Sequence, residues 1–271
     1  MKRELITALS LTATVLVVAY ISTLGGGLGP LFSDTRPLAK VFLSTTLDPN
    51  KPMFTAMSPE GVTAIVWDYR GLDTLFETAV FYLAIIGAVA VYRDVSEKVV
   101  LKGGGVGLSK IVKLVTKLLI PMNIAIAISI ALHGHLTPGG GFQAGAAMAV
   151  VPMILIVVFS RYFLLEVKIS KGLALALRSI GLIGIAFTVF LPIIIALISG
   201  VNSYIMQNQV KFGAPFSFPA FFGDSLISGS LILYNLFELL AVTFGFSILF
   251  LLLSIEESLV KEQMGGEGSE H

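Results

Sequence analysis

The fold of this chain follows from the stretch His133-Gly-His-Leu-Thr-Pro-Gly-Gly-Gly-Phe-Gln-Ala-Gly145, which joins two long apolar runs. Its three consecutive glycines allow the backbone to approach another segment or a ligand, because no Cβ stands in the way. Pro138 cannot continue the helix before it, so the stretch separates two helices. Non-helical backbone between membrane spans must be buried in protein or face water. The stretch is therefore predicted to be a functional site or an interface.

The composition indicates an integral membrane protein. Hydrophobic residues make up 55% of the chain and charged residues 13%, whereas soluble domains carry about 25% charged residues. The net charge of +1 gives no basis for nucleic-acid binding. The chain has no cysteine, which excludes disulfides, thiol nucleophiles and thiolate ligation of zinc or iron–sulfur clusters. We expect no cofactor, no dedicated metal site and no enzymatic activity of its own.

Six apolar runs are each close to the roughly 20 residues needed to cross a bilayer. We therefore predict an all-α polytopic membrane protein with six spans. The predicted spans are 5–24, 75–92, 111–132, 142–163, 173–199 and 229–254. The first run follows basic residues, but it lacks a clean cleavage site of small residues and is interpreted as a retained span. Arg178, near the start of the fifth, is expected to extend its side chain to the headgroups.

Lys and Arg residues predict the orientation, because they are enriched in cytoplasmic loops. With the N-terminus inside, 13 of the 18 Lys and Arg residues fall in cytoplasmic segments and 5 fall outside. We therefore predict that both termini are cytoplasmic (N-in and C-in). The glycine-rich stretch and the Glu77 end of the second span then lie outside.

Glycine-rich and polar segments predict the domain boundaries. Ser109 is expected to cap the helix after the linker, and Ser58-Pro-Glu60 predicts a helix start with Ser58 as the cap. The predicted parts are a two-helix module 1–102 with an extramembrane loop 25–70, a Gly-rich linker 103–109, a four-helix module 110–256 and a flexible tail 257–271.

Asp73 and Glu77 are four residues apart and share one face of the second predicted span. A charged group at a helix centre in the membrane costs about 2.5–3.5 kcal/mol, so it is normally paired, solvated or functional. Two interpretations remain open. Thr74-x-x-Glu77 matches a capping box, in which Glu77 satisfies an amide at the helix start. Alternatively, Glu77 is a relay group for protons or cations.

Three further residues could carry chemistry. His133 and His135 are two apart and point to different helix faces, so they suit a metal poorly. They are either interfacial hydrogen-bonding residues or a proton shuttle. Glu238 lies about ten residues into the last span, near the midplane. It either faces a bundle interior, water or a cation, or makes a buried hydrogen bond to a neighbouring helix, for example to Asn123.

Two motifs carry a resemblance to a known family. The run Gly134-His-Leu-Thr-Pro-Gly-Gly-Gly-Phe-Gln143 resembles the signature of MrpB (also called MnhB), a small membrane protein of Mrp-type sodium/proton antiporters. The four spans after Gly107 and the Asn235-x-x-Glu238 pattern also match MrpB. Separately, Asp68-Tyr-Arg-Gly-Leu-Asp-Thr-Leu-Phe-Glu77 is similar to the C-terminal segment of MrpA, the large protein of the same antiporters. The chain therefore looks like that MrpA segment fused to an MrpB.

The resemblance implies a membrane subunit that contributes to monovalent cation and proton translocation. Similar modules occur in archaeal membrane-bound hydrogenases and sulfane reductases, where they couple electron transfer to sodium translocation. The implied partners are other Mrp-type subunits, hydrogenase-like or sulfane reductase subunits, sodium ions, protons and membrane lipids. The alternatives are a purely structural assembly subunit of such a complex, or a subunit of a stand-alone Mrp antiporter.

The resemblance also assigns residues to roles. Glu77 matches the acid that the family uses in ion transfer, while Pro138 and Phe142 match the MrpB motif. The expected ion pathway adds to Glu77 the residues singled out above from the sequence itself, namely Asp73, Glu238, His133 and His135. The expected structural motif comprises Pro138, Gly139, Gly140, Gly141 and Phe142.

Overall fold

The computed structural model describes residues 2–24, 35–93, 106–160, 162–163, 170–255, 257 and 260. They belong to two units, 1–41 and 42–271, each compact by itself. Most of the predicted tail, part of the linker and part of the loop 25–70 lie outside the described residues. The domain boundaries and the N-in, C-in orientation stay predictions.

Six helices of the described residues are long and apolar enough to cross a membrane, which confirms the predicted all-helical class. They are α1 (Lys2–Leu24), α4 (Gly71–Val91), α5 (Lys110–His133), α6 (Gly141–Phe159), α7 (Lys171–Ser199) and α8 (Leu231–Leu253). The shorter elements are α2 (Pro37–Thr46), α3 (Gly61–Thr63), a π-helical turn (Ala64–Tyr69) and an antiparallel hairpin of β1 (Phe221–Phe222) and β2 (Ser225–Leu226).

Two helix boundaries differ from the prediction by four residues, and the others by three or fewer. Helix α4 begins at Gly71 rather than at residue 75, because it follows the π-helical turn after a single intervening residue, Arg70. Helix α6 ends at Phe159 rather than at residue 163, because Ser160 adopts a φ of 83°, which a right-handed helix cannot accommodate.

Helix α8 is the centre of the second unit. It packs against α7 and α6, and α6 packs against α5. Glycines allow the close approach of α7 to α8: a Cβ on Gly184 would lie 2.2 Å from the Phe237 ring, and one on Gly181 would lie 2.6 Å from the Ala241 nitrogen. Small residues at helix interfaces are the usual means of tight packing in membranes, where the hydrophobic effect does not drive helices together.

Local capping follows the sequence at some helices and departs from it at α3. Ser109 caps α5 as predicted, since its Oγ accepts from the Val112 amide at 3.4 Å. The prediction that Ser58 caps α3 is wrong. Glu60 is the cap and accepts from the Thr63 amide, while Ser58 is buried and donates to the His135 carbonyl at 2.7 Å. The acceptor of the Ser58 hydroxyl is the His135 carbonyl, which is far away in the sequence and cannot be predicted from a local pattern.

The expectation that Arg178 reaches the headgroups is also wrong. Its side chain is buried, with 2% of the residue exposed, between α4 and α8. Close packing of these helices leaves the long side chain inside the unit rather than on its surface.

Three chain segments meet at one end of the helices and form what we term the connector layer, residues 42–70, 134–140 and 201–230. Asn208 joins two of them, because its Nδ2 donates to the Ala56 carbonyl at 2.9 Å while its Oδ1 accepts from the Ser230 amide at 2.9 Å. Ser228 Oγ donates to the Met57 carbonyl at 2.6 Å. These buried hydrogen bonds hold the layer over the ends of α4, α6 and α8.

Candidate ion-binding site

A cavity of about 230 Å³ lies where the connector layer meets the helices. It is enclosed by the π-helical turn, the start of α4, the glycine turn before α6, and α8. Its polar lining comprises Thr63, Thr74, Glu77, Gln143, Asn235 and Glu238. Two predicted ion-pathway residues, Glu77 and Glu238, therefore share one cavity, together with Gly139, Gly140, Gly141 and Phe142 of the predicted motif.

The glycine turn brings the first residue of α6 directly onto α8. Gly139 and Gly140 have φ angles of 155° and 141°, which side-chain-bearing residues rarely adopt. A Cβ on Gly141 would lie 2.6 Å from both the Asn235 carbonyl oxygen and the Glu238 Cβ. Only glycine, which has no Cβ, allows the backbone to come this close to α8. The backbone angles of Gly139 and Gly140 and the close contact of Gly141 together explain the run of three glycines. Pro138 precedes the turn and is exposed.

The amino-terminal end of α6 faces the polar residues of α8. The Gly141 amide donates to Asn235 Oδ1 at 3.3 Å, and the Phe142 backbone lies within hydrogen-bonding reach of Glu238. Free amides and the helix dipole make a helix N-terminus a favourable place for a carboxylate. The backbone thus offers Glu238 partial compensation for its burial, which leaves 6% of the residue exposed.

Trp67 also lines the cavity. Its ring stacks on Tyr234 at 4.4 Å between centroids with an interplanar angle of 6°, and its side chain also lies within hydrogen-bonding reach of Glu238. The hydrogen bond that the sequence suggested between Glu238 and Asn123 is not formed, because the groups that hydrogen-bond Glu238 in the described part of the chain are the Phe142 backbone and the Trp67 side chain. Trp67 was not among the residues predicted for the site.

Glu77 is not a helix cap. Because α4 begins at Gly71, Thr74 is already inside the helix, and its hydroxyl donates to the Val66 carbonyl at 2.6 Å. The capping-box interpretation is therefore wrong. Glu77 is exposed, and it lines a second, more open groove of about 740 Å³ on the outer face of α4 as well as the inner cavity. Glu77 is therefore common to the inner cavity and the outer groove.

Asp73 lies beside this groove and does not line the inner cavity. Its carboxylate accepts from Arg70 Nε at 2.6 Å, and both side chains are exposed. The neighbouring Asp68 is buried and lies 3.3 Å from Lys211 Nζ. Burial raises the pKa of Asp68, and the attraction of Lys211 opposes that rise.

The two histidines lie apart from the cavity. His133 ends α5, is exposed, and has its Nδ1 2.9 Å from the Ser129 carbonyl. His135 is buried, with its Nε2 2.9 Å from the Leu226 carbonyl, and its own carbonyl accepts from Ser58. His135 thus ties together all three segments of the connector layer. Among the described residues, no group of three or more His, Asp or Glu side chains could hold a metal ion.

We expect acid to destabilise the connector layer through His135. Burial lowers the pKa of its imidazole, so the unfolded chain binds a proton at a higher pH than the folded one, and stability falls as the pH drops through the ordinary histidine range. Thermal unfolding between pH 7.5 and 5.5 measures this loss, which His135→Gln should reduce. The exposed His133→Gln is the matched control. An equal loss in wild type and His135→Gln would contradict the expectation.

The class of protein defined by this geometry is a polytopic membrane protein with a paired-carboxylate cavity. A family model for domains related to the MnhB subunit of Na⁺/H⁺ antiporters matches residues 111–248, and the chain belongs to that family. The predicted resemblance to MrpB is confirmed. The resemblance of the segment around Asp68–Glu77 to MrpA stays a prediction.

Known proteins resemble the chain beyond this domain. A chain of the membrane-bound sulfane sulfur reductase, an archaeal respiratory membrane complex, is 25% identical with a TM-score of 0.56, covering 94% of this chain and 97% of that chain. A chain of the Mrp complex from Dietzia sp. DQ12-45-1b has the same fold, at 15% identity and a TM-score of 0.58, over 91% of this chain and 26% of that chain.

One curated relative is an uncharacterized protein of Methanocaldococcus jannaschii. It is 28% identical over 117 residues, covering 37% of this chain and 44% of that protein. The chain thus spans less than half the length of that relative.

Proposed function

We propose that this chain is an ion-translocating subunit of an Mrp-type module within a respiratory membrane complex of the sulfane reductase or hydrogenase type. In this proposal, Glu77 and Glu238 bind and release protons or sodium ions. The observation that carries it is that these two carboxylates, from different helices, line one cavity in the membrane-spanning part of the chain.

The energetics favour a mobile positive charge between the two carboxylates. Ionised carboxylates are expensive in a membrane, and two of them near each other also repel. None of the described residues that line the cavity is Lys or Arg. A proton or a monovalent cation is therefore the charge that would relieve both costs. A proton or monovalent cation held between Glu77 and Glu238 is bound reversibly if it can move on to another polar group nearby.

The exposure of Glu77 supports a path that continues into another protein of the complex. An exposed carboxylate on a membrane-spanning helix needs a protein partner or water beside it. The groove next to Glu77 also contains Arg70 and Asp73, so a neighbouring chain seated there would complete a polar route. The similarity to nearly the full length of a sulfane reductase chain favours a respiratory complex over a stand-alone antiporter.

We expect Glu77→Gln to lower sodium-dependent proton movement about tenfold or more, since proton transfer by a positioned group typically contributes at least that factor. The complex is purified through a tag on this chain, its co-purifying subunits are identified, and proton movement is followed in proteoliposomes with a pH-sensitive dye. Glu60→Gln is the matched control, because Glu60 is buried but does not line the cavity.

The alternative of a purely structural role makes the opposite prediction. If the chain only holds larger channel-forming subunits together, Glu77→Gln transports as wild type does once it has assembled. Unchanged transport in a fully assembled Glu77→Gln complex would overturn the proposal. A variant complex that assembles with every subunit and has lost transport supports it.

A further inference from the structure

We propose that Arg178 is an electrostatic barrier that closes the direct route from the Glu77–Glu238 cavity towards the end of the helices opposite the connector layer. Cations bound in the cavity would then leave sideways, past Glu77, into a neighbouring protein of the complex. This inference rests on the proposed function, because it assigns a direction to the same ion path.

The position of Arg178 is unusual for a charged residue. It is the eighth residue of α7, about 10 Å along the helix from its first residue. Its residue surface is 2% exposed. The guanidinium carbon lies 4.9 Å from the centroid of the Tyr82 ring and 5.9 Å from that of Phe81. The arginine is therefore enclosed by helices rather than extended to water.

The charge on Arg178 is not neutralised within the described part of the chain. Its Nε and Nη2 atoms are buried and have no hydrogen-bond partner there. Arginine stays protonated in proteins, so the side chain carries a full positive charge. Aromatic faces attract that charge, but they do not cancel its field as a carboxylate would. A buried, unpaired cation of this kind is expected to have a function.

Aromatic rings separate Arg178 from the cavity. Phe81, Phe142 and Phe246 contact one another, with centroid distances of 6.4 Å, 5.2 Å and 6.4 Å around the triangle. Phe142 lines the cavity, and Phe81 lies one turn after Glu77 and also contacts Arg178. The rings of Phe81 and Phe142 thus form a continuous aromatic contact between Arg178 and the cavity that the two carboxylates line.

Helix α8 relates the position of Arg178 to that of Glu238. Gly245 of α8 lies against both Phe81 and Arg178, since a Cβ there would be 2.7 Å from the Phe81 ring and 3.5 Å from Arg178 Nε. Gly245 follows Glu238 by seven residues, or about 10 Å along the helix. At that separation in a water-poor interior, the fixed positive charge repels a cation that leaves the carboxylates, while the rings exclude the water that would screen it.

The test compares passive ion leak through assembled complexes. Arg178→Met removes the charge and keeps an unbranched apolar side chain, whereas Arg178→Lys keeps the charge. Purified complexes in proteoliposomes, without electron donor or acceptor, are assayed for uptake of radioactive sodium. We expect about a tenfold faster uptake for Arg178→Met than for wild type, no increase for Arg178→Lys, and a return to the wild-type rate when Glu238→Gln is added to Arg178→Met.

Among complexes that assemble, two results would overturn the proposed barrier. One is wild-type uptake in an assembled Arg178→Met complex, and the other is a leak that persists after Glu238→Gln. If Arg178→Met does not assemble, Arg178→Gln takes its place. Failure of both neutral variants beside a normal Arg178→Lys would show that the charge is needed for packing and would also overturn the proposal. The leak is measured without turnover, so its outcome is separate from that of Glu77→Gln, which concerns coupled transport.

Discussion

Glu238→Gln is expected to lower sodium-dependent proton movement about 100-fold, within the range that a positioned proton-transfer group contributes. Glutamine keeps the shape of the side chain and an oxygen that can accept from the Phe142 amide and the Trp67 side chain. It removes the negative charge and the exchangeable proton, which the proposed path requires. Glu238 exposes 6% of its residue surface, and no Lys or Arg lines its cavity within the described residues, so removing its negative charge relieves a burial cost.

The stability of this variant separates the functional role from a structural one. We expect the melting temperature of Glu238→Gln in detergent to equal or exceed that of the wild type, while transport is lost. Glu60→Gln is again the matched control, since that buried carboxylate caps α3 and is expected to keep transport. Transport at the wild-type rate in Glu238→Gln would remove Glu238 from the ion path.

Gly141→Ala is expected to destabilise the protein by about 1–3 kcal/mol, the usual cost of forcing an extra carbon into a packed core. The added Cβ would lie 2.6 Å from the Asn235 carbonyl oxygen, the Glu238 Cβ and a Glu238 carboxylate oxygen. The Asn235 carbonyl belongs to the backbone of α8, so relief requires α6 to move away from it. That movement would also withdraw the Gly141 and Phe142 amides from Asn235 and Glu238.

The control for this prediction is Gly87→Ala. Gly87 lies inside α4, and a Cβ there meets nothing within 4 Å. Replacing a helical glycine with alanine at an open position is expected to stabilise by about 0.5–1 kcal/mol. Thermal unfolding of both variants in the same detergent measures the contrast. A melting temperature for Gly141→Ala at or above that of Gly87→Ala would contradict the close packing of α6 on α8.

The class and the spans could be predicted from sequence because they depend on local composition. A run of about 20 apolar residues has few alternatives to a membrane helix, so six such runs predicted six helices. Ser109 was predicted as a cap because its partner, the Val112 amide, is three residues away. The glycine turn stood out for a similar reason, since three glycines beside a proline suit a close backbone approach that few other residues allow.

The site itself depended on contacts between distant residues. The local sequence pattern predicted a capping box formed by Thr74 and Glu77, and it predicted Ser58 as a helix cap. In the folded chain, the Val66 and His135 carbonyls take the two hydroxyls, and Glu77 is left free to line the cavity. Both predicted caps were chemically reasonable. Neither forms, because in the folded chain the Thr74 and Ser58 hydroxyls hydrogen-bond to carbonyls of other segments.

What the sequence determined by itself is the class of protein, its six helices and the presence of acidic residues within two of them. Only the tertiary structure decided that Glu77 and Glu238 share a cavity and that Arg178 lies inside rather than at the headgroups. The physical reason is that apolar length fixes which segments cross the membrane, whereas the approach of α4, α6 and α7 to α8 fixes which polar side chains meet. That approach is set by close contacts, such as that of Gly141 with α8, between residues far apart in the chain.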